Sequence, residues 1–149
     1  MIDVESLVFD TVYNYLHNLF PDANITAGYD EKKAVYPAVI IRETGNVPYQ
    51  AGNTDDCAEN FTRLTYEVEV ESDKQNTGRS ECKAILSAAD DVMQSMKFRR
   101  IHKNRPINMD RTVWRQYARY EVICAKGVTT TTGTGDETVE TTTFQMYRR

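Results

Sequence analysis

The side chains that could do chemistry in this chain are two histidines, three cysteines, a few serines and several carboxylate pairs. A metal site needs ligands gathered at short, regular spacing. His17 and His102 fall on different predicted elements, and no Cys-x-x-Cys or His-x-x-x-His occurs. Asp55-Asp56-Cys57 offers oxygen and sulfur ligands, but adjacent residues in a loop are usually solvated. Asp90-Asp91 reads as the polar side of a helix. Ser80 and Ser87 lack the glycine elbow that exposes a nucleophile, and no glycine loop cradles phosphate. Gly133-Thr134-Gly135 does not join a strand to a helix and reads as turn chemistry. The expectation is a non-enzymatic chain with no catalytic residue, metal or cofactor.

Cys57, Cys82 and Cys124 are odd in number and widely separated, which argues against a disulfide framework. Cys82 and Cys124 occupy apolar positions, where a free thiol behaves as a small hydrophobe. The N-terminus is acidic where a signal peptide would be basic, and no apolar run is long enough to cross a bilayer. A soluble protein made in a reducing compartment is expected, with no membrane partner. The net charge of −4 argues against general nucleic-acid binding.

Charge placement says more than any motif. Lys97, Arg99, Arg100, Lys103, Arg105, Arg111, Arg115 and Arg119 crowd one stretch, and Asp55, Asp56, Glu59, Glu67, Glu69, Glu71 and Asp73 crowd another. Three readings stay open. The charges offset each other across paired strands; or one chain's basic patch meets its neighbour's acidic patch, a contact that closes into a ring when the rotation allows; or the arginines contact phosphate, which requires them to be free of acidic partners.

These residues need elements to position them. Val4, Leu7, Val8, Val12, Tyr15, Leu16 and Leu19 recur at helical spacing, with Asp3 as N-cap and Pro21 beyond the end. Ala38-Val39-Ile40-Ile41 is too short for a helix and reads as a buried strand, followed by a long loop from Thr44 to Glu59. From Phe61 to Glu71, Leu64, Tyr66, Val68 and Val70 alternate with Thr65, Glu67, Glu69 and Glu71, predicting one core face and one acidic, wet face. A second helix runs from an N-cap at Thr77 to about Met96, burying Cys82, Ile85, Leu86, Ala89, Val92, Met93 and Met96. Phe98 to Lys103 reads as a short strand. Arg111 to Lys126 reads as a long one, with Trp114, Ala118, Tyr120, Val122 and Cys124 on one face and Arg115, Tyr117, Arg119 and Glu121 on the other. The threonine-rich remainder predicts either a hairpin about Gly133 and Gly135 or a tail that orders against a partner. The sum is one α+β domain over residues 1–126. It is a mostly antiparallel sheet with two amphipathic helices packed on one face, followed by a C-terminal β arm or hairpin over 127–149.

The amphipathic first helix, Tyr36-Pro37-Ala38-Val39-Ile40-Ile41, Leu64-Thr65-Tyr66-Glu67-Val68-Glu69-Val70, Ala84-Ile85-Leu86, Asp90-Asp91-Val92-Met93, Phe98-Arg99-Arg100 and the strand through Arg115 to Val122 follow a recognisable order. Over residues 1–126 the chain resembles the tail terminator, or tail completion, proteins of long-tailed phages and their minor capsid relatives. The resemblance implies a virion protein assembled in the host cytoplasm. Such a protein forms a ring, typically a hexamer, at the head-proximal end of the tail tube. The ring's partners are its own copies, the tail tube and the head-completion or connector proteins, and genome DNA passes without specific binding. No catalytic residue carries over. The arm after Gly127 lies outside the family pattern, leaving another neck, connector or tube subunit open; a monomeric nucleic-acid-binding module and a small enzyme are the readings from other classes. The expected intersubunit or channel surface is Glu67, Glu69, Glu71, Arg99, Arg100, Arg115 and Arg119, with Phe144 and Met146 as anchors of the arm.

Overall fold

The computed structural model describes residues 1–28, 35–50, 60–133 and 138–148. The chain runs α1 (Glu5–Leu19), β1 (Asn24–Thr26), β2 (Ala38–Pro48), β3 (Phe61–Ser72), α2 (Gly78–Ser95), β4 (Arg99–Lys103), β5 (Ile107–Met109), β6 (Val113–Gly133) and β7 (Thr138–Tyr147). The fold is α+β, with both helices packed against a seven-stranded, mostly antiparallel, curled sheet of order β1-β2-β3-β6-β4. Among the described strands only β1 and β2 run parallel. The far edge of β6 is shared in succession by β5, β4 and β7.

The core lies between the helices and one face of the sheet. Val39 and Ile41 of β2, Leu64 to Val70 at alternate positions of β3, and Ala118 to Cys124 at alternate positions of β6 meet the buried stripe of α2. That stripe includes Cys82, Ile85, Leu86, Ala89, Val92 and Met93, as helical spacing predicts, while Met96 is only partly buried. Two small residues, Ala88 and Ala89, and Gly78 against the Trp114 ring keep α2 close to the sheet. Gln116 also faces this core and is buried. The helix closes with Lys97 N–H donating to Gln94 and Phe98 N–H to Met93, at 2.9 and 3.0 Å, and Lys97 takes a positive φ to do so.

Several expectations change. The stripe of α1 is narrower than its periodicity suggests: Val8, Val12 and Leu16 are buried, whereas Leu7, Tyr15 and Leu19 are exposed. The helix packs chiefly on α2 and β2, and Phe9 and Tyr13 are partly buried against the core beside that row. The N-cap of α1 is Val4; Asp3 stands one residue outside it and accepts the Glu5 N–H at 3.1 Å. Thr77 does cap α2 by position, but its side chain makes no capping hydrogen bond. The predicted loop from Thr44 begins as strand instead. β2 continues to Pro48, with a bulge at Thr44 between Glu43 and Gly45, and Gly45 itself pairs with Thr65. Asp55, Asp56, Cys57 and Glu59 lie outside the described residues. At the C-terminus β6 pairs with β7 as the hairpin of the two readings offered, with an irregularity in the register between Ala125 and Val128.

Candidate functional site

The sheet face turned away from the helices carries the charged residues, and it is not the wet acidic surface that alternation predicts. Glu67 and Glu69 are 3% and 1% exposed. The strand register explains how. Arg42, Glu67 and Arg119 stand in one row across β2, β3 and β6, and Glu71 faces Arg115 in another. Glu67 takes hydrogen bonds from Arg42 and, at 2.7 Å, from Arg119 Nε. Arg115 reaches diagonally to Glu69 Oε2 at 2.6 Å and stands 3.9 Å from Glu71. The guanidinium groups lie over the carboxylates and take the solvent side of each pair, since Arg42, Arg115 and Arg119 side chains are 32%, 30% and 53% exposed.

This lattice sets the protonation behaviour. Burial pushes the Glu67 carboxyl up, but hydrogen bonds from Arg119 and Arg42, and their charges, outweigh it and hold the group below the ordinary glutamate value. Glu71 moves the other way. Burial, then the neighbouring Glu69 charge, raises it despite Arg115. The hollow among these groups measures about 240 Å³ and brings Asn104 and Ile107 to the same face. Asn104 stitches the β6 edge between β4 and β5, accepting from Tyr117 N–H at 2.8 Å and donating to Tyr117 O at 3.2 Å.

The remaining expected site residues sit elsewhere. Arg99 pairs with Glu121, its direct cross-strand neighbour, and Arg100 Nη1 pairs with Asp90 Oδ2 at 2.9 Å. Those pairs tie edge strand β4 to β6 and α2, and the exposed charges guard that edge. Phe144 and Met146 are half-buried against the chain's own core. With Leu7, Thr11 and Met96 they line a shallow hollow of about 260 Å³. As anchors for a neighbour they are therefore already partly used.

Arg42 went unnoticed in the sequence because β2 was expected to end before it. Its signal was present: Ile40 and Arg42 continue a period of two. Arg79 and Lys83 read in the sequence only as residues off the apolar face of the second helix. Among the described residues no group of three or more His, Cys, Asp or Glu gathers as metal ligands. His17 stacks on Tyr13 at 5.4 Å, and His102 lies against Tyr117 at 5.6 Å. No described helix is long and apolar enough to cross a membrane.

No model of a known protein family matches the chain, and no curated protein matches it at a significant level.

The β6–β7 hairpin is the other distinctive feature. β3 pairs with β6 as far as Ala125, and Lys126 N–H reaches Asn60 O at 2.8 Å. Beyond that point β6 pairs with β7 alone, from Val128↔Thr143 to Gly133↔Thr138. Six residues of strand reach about 20 Å. Neither outer edge of this ribbon pairs with another described strand. Its base is different: Ile123, Cys124 and Ala125 pair with Tyr147, Met146 and Gln145.

Proposed function

We propose that this chain is a structural, non-enzymatic subunit that assembles with copies of itself into a ring. The reading follows the tail terminators of long-tailed phages: the ring caps the head-proximal end of a tail tube and joins it to the head. The observation that carries the assembly reading is the two-stranded ribbon beyond Lys126. An isolated two-stranded hairpin is marginal in water, and open backbone edges invite pairing with another chain. A ribbon of this length suits strand addition to a neighbour far better than it suits the subunit's own core. Glu67 and Glu69 are neutralised within the chain, so the proposal does not rely on them to repel a passing genome.

The test separates tip from base. Residues 129–142 are replaced by Asn-Gly, which suits a tight hairpin turn. Phe144, Met146 and the paired base remain. The shortened protein is expected to keep its thermal midpoint within about 3 °C, roughly 1 kcal/mol for a chain of this size. Electron microscopy in the presence of tail tubes is expected to show closed oligomers of the full-length protein and none of the shortened one. Rings of unchanged symmetry from the shortened protein would remove the ribbon from the mechanism. A full-length protein that stays monomeric with and without tubes would sink the reading.

A further inference from the structure

A groove between the start of α2 and the β4–β5 connection collects four cationic side chains, Arg79, Lys83, Lys103 and Arg105. Arg79 and Lys83 lie one turn apart on α2, about 6 Å along its axis. The groove measures about 550 Å³, and no carboxylate of a described residue lines it. None of the four forms an ion pair with a described residue, in contrast to Arg42, Arg99, Arg100, Arg115 and Arg119. Gln116 also lines the groove while only 2% exposed. Its Nε2 donates to Asn104 O at 2.8 Å, and its Oε1 has no donor.

The opposite edge of the same layer is acidic. Asp3 and Glu5 are exposed at the start of α1. Glu43 of β2 lies beside them and accepts the Tyr66 hydroxyl at 2.9 Å. Burial first, then the charges of Glu5 and Asp3, raise the Glu43 carboxyl above its ordinary value, against the hydrogen bonds from Tyr66 and Asn46. No basic side chain among the described residues pairs with any of the three. The strand order places β2 and β4 three spacings apart, about 14 Å. The two surfaces therefore do not meet within one chain.

We propose that the Arg79–Lys83–Lys103–Arg105 groove of one subunit receives the Asp3–Glu5–Glu43 corner of the next copy, as a head-to-tail contact. The inference rests on the ring-forming reading above and names the surfaces that would close the ring. Guanidinium groups pair with carboxylates through charge-assisted hydrogen bonds. A polypeptide also brings N–H groups that can serve Gln116 Oε1, whereas a phosphodiester backbone brings acceptors only. A net charge of −4 opposes the approach of a polyanion but leaves a local contact between copies attractive. These two points favour a second copy over nucleic acid.

The test is charge reversal with compensation in the full-length chain, read by sedimentation velocity at low and high salt, with thermal melts to confirm folding. Lys83→Glu with Arg105→Glu should weaken self-association at least tenfold, and Asp3→Lys with Glu5→Lys should do the same. The two sets combined in one chain should regain it, and added salt should weaken association of the unmodified protein. Oligomers indifferent to all three variants, or a combined variant that stays dissociated, overturn this interface and leave the ring reading standing. A monomer with and without tail tubes removes both. If the groove variant loses binding to a DNA duplex while self-association is unchanged, the groove belongs to phosphate and the proposal fails.

Discussion

Replacing Glu67 by Gln tests the buried charge lattice most directly. The side chain keeps its size but loses its charge, between two guanidinium groups from β2 and β6. A hydrogen bond to a charged group contributes about 1.5–3 kcal/mol. Two such bonds set an upper limit that this site does not reach. Arg42 and Arg119 side chains are 32% and 53% exposed, so water recovers part of their solvation. Glutamine also keeps one oxygen for one donor, and only the second guanidinium faces an amide NH₂. A net loss of about 2 kcal/mol follows, or roughly 4–8 °C in thermal midpoint for a chain of this size. The pH dependence supplies the sharper check. Glu67 is depressed in the folded state, so its contribution is complete above the unfolded glutamate value of about 4.3. It is lost as pH falls through the lower folded value. Glu43 and Glu71 are raised and contribute with the opposite sign, but both proteins contain them and they cancel in the difference. Urea midpoints measured from about pH 7 down to pH 3 should therefore show a gap that narrows below about pH 4.3. A gap that is absent at neutral pH, or constant across the range, would refute the lattice as described.

Two substitutions probe the ends of α2. Lys97→Gly should stabilise the protein by about 0.5–1 kcal/mol, because Lys97 holds a φ of 71° that glycine adopts without a Cβ penalty; a lower urea midpoint would contradict it. Gly78→Ala should destabilise by about 1–2 kcal/mol although alanine is the better helix former. Its Cβ would stand 2.6 Å from Trp114 Cδ1 and 3.2 Å from Ser72 Oγ. Fluorescence of Trp114, the only tryptophan, should shift as the ring is displaced, and an unshifted spectrum with unchanged stability would show that the contact yields freely.

How much was legible in the sequence depended on whether the signal was local. The stripe of α2 and the alternation of β3 and β6 follow from spacing alone, and the structure keeps both. The hairpin was legible as threonine-rich halves about two glycines, with a disordered tail left open beside it. β2 was cut short because Gly45 and Pro48 look like loop punctuation. The structure places the glycine beside a bulge and the proline at the end of β2, beyond the residues that β1 covers, and a strand tolerates glycine near a bulge and proline on an edge. Periodicity also says which side chains share a face, but not whether that face is wet. Glu67 and Glu69 alternate correctly and are nevertheless buried, because their cover arrives from two other strands.

The same limit explains why the basic run could not be sorted beforehand. Arg99 finds its carboxylate 22 residues away and Arg119 finds Glu67 at a separation of 52. Only the register of three strands decides that these arginines are spoken for. Once they are removed from the count, Lys103 and Arg105 remain from that run in the groove, and α2 adds Arg79 and Lys83 from outside it. A cluster defined by sequence proximity thus divides into a part that stabilises the subunit and a part whose charge has no answer among the described residues. The acidic corner at Asp3, Glu5 and Glu43 is divided from the rest of the carboxylates by the same reasoning. Pairing among the described residues leaves unanswered charge of both signs on opposite edges of one layer, which is the condition a head-to-tail contact between identical chains requires.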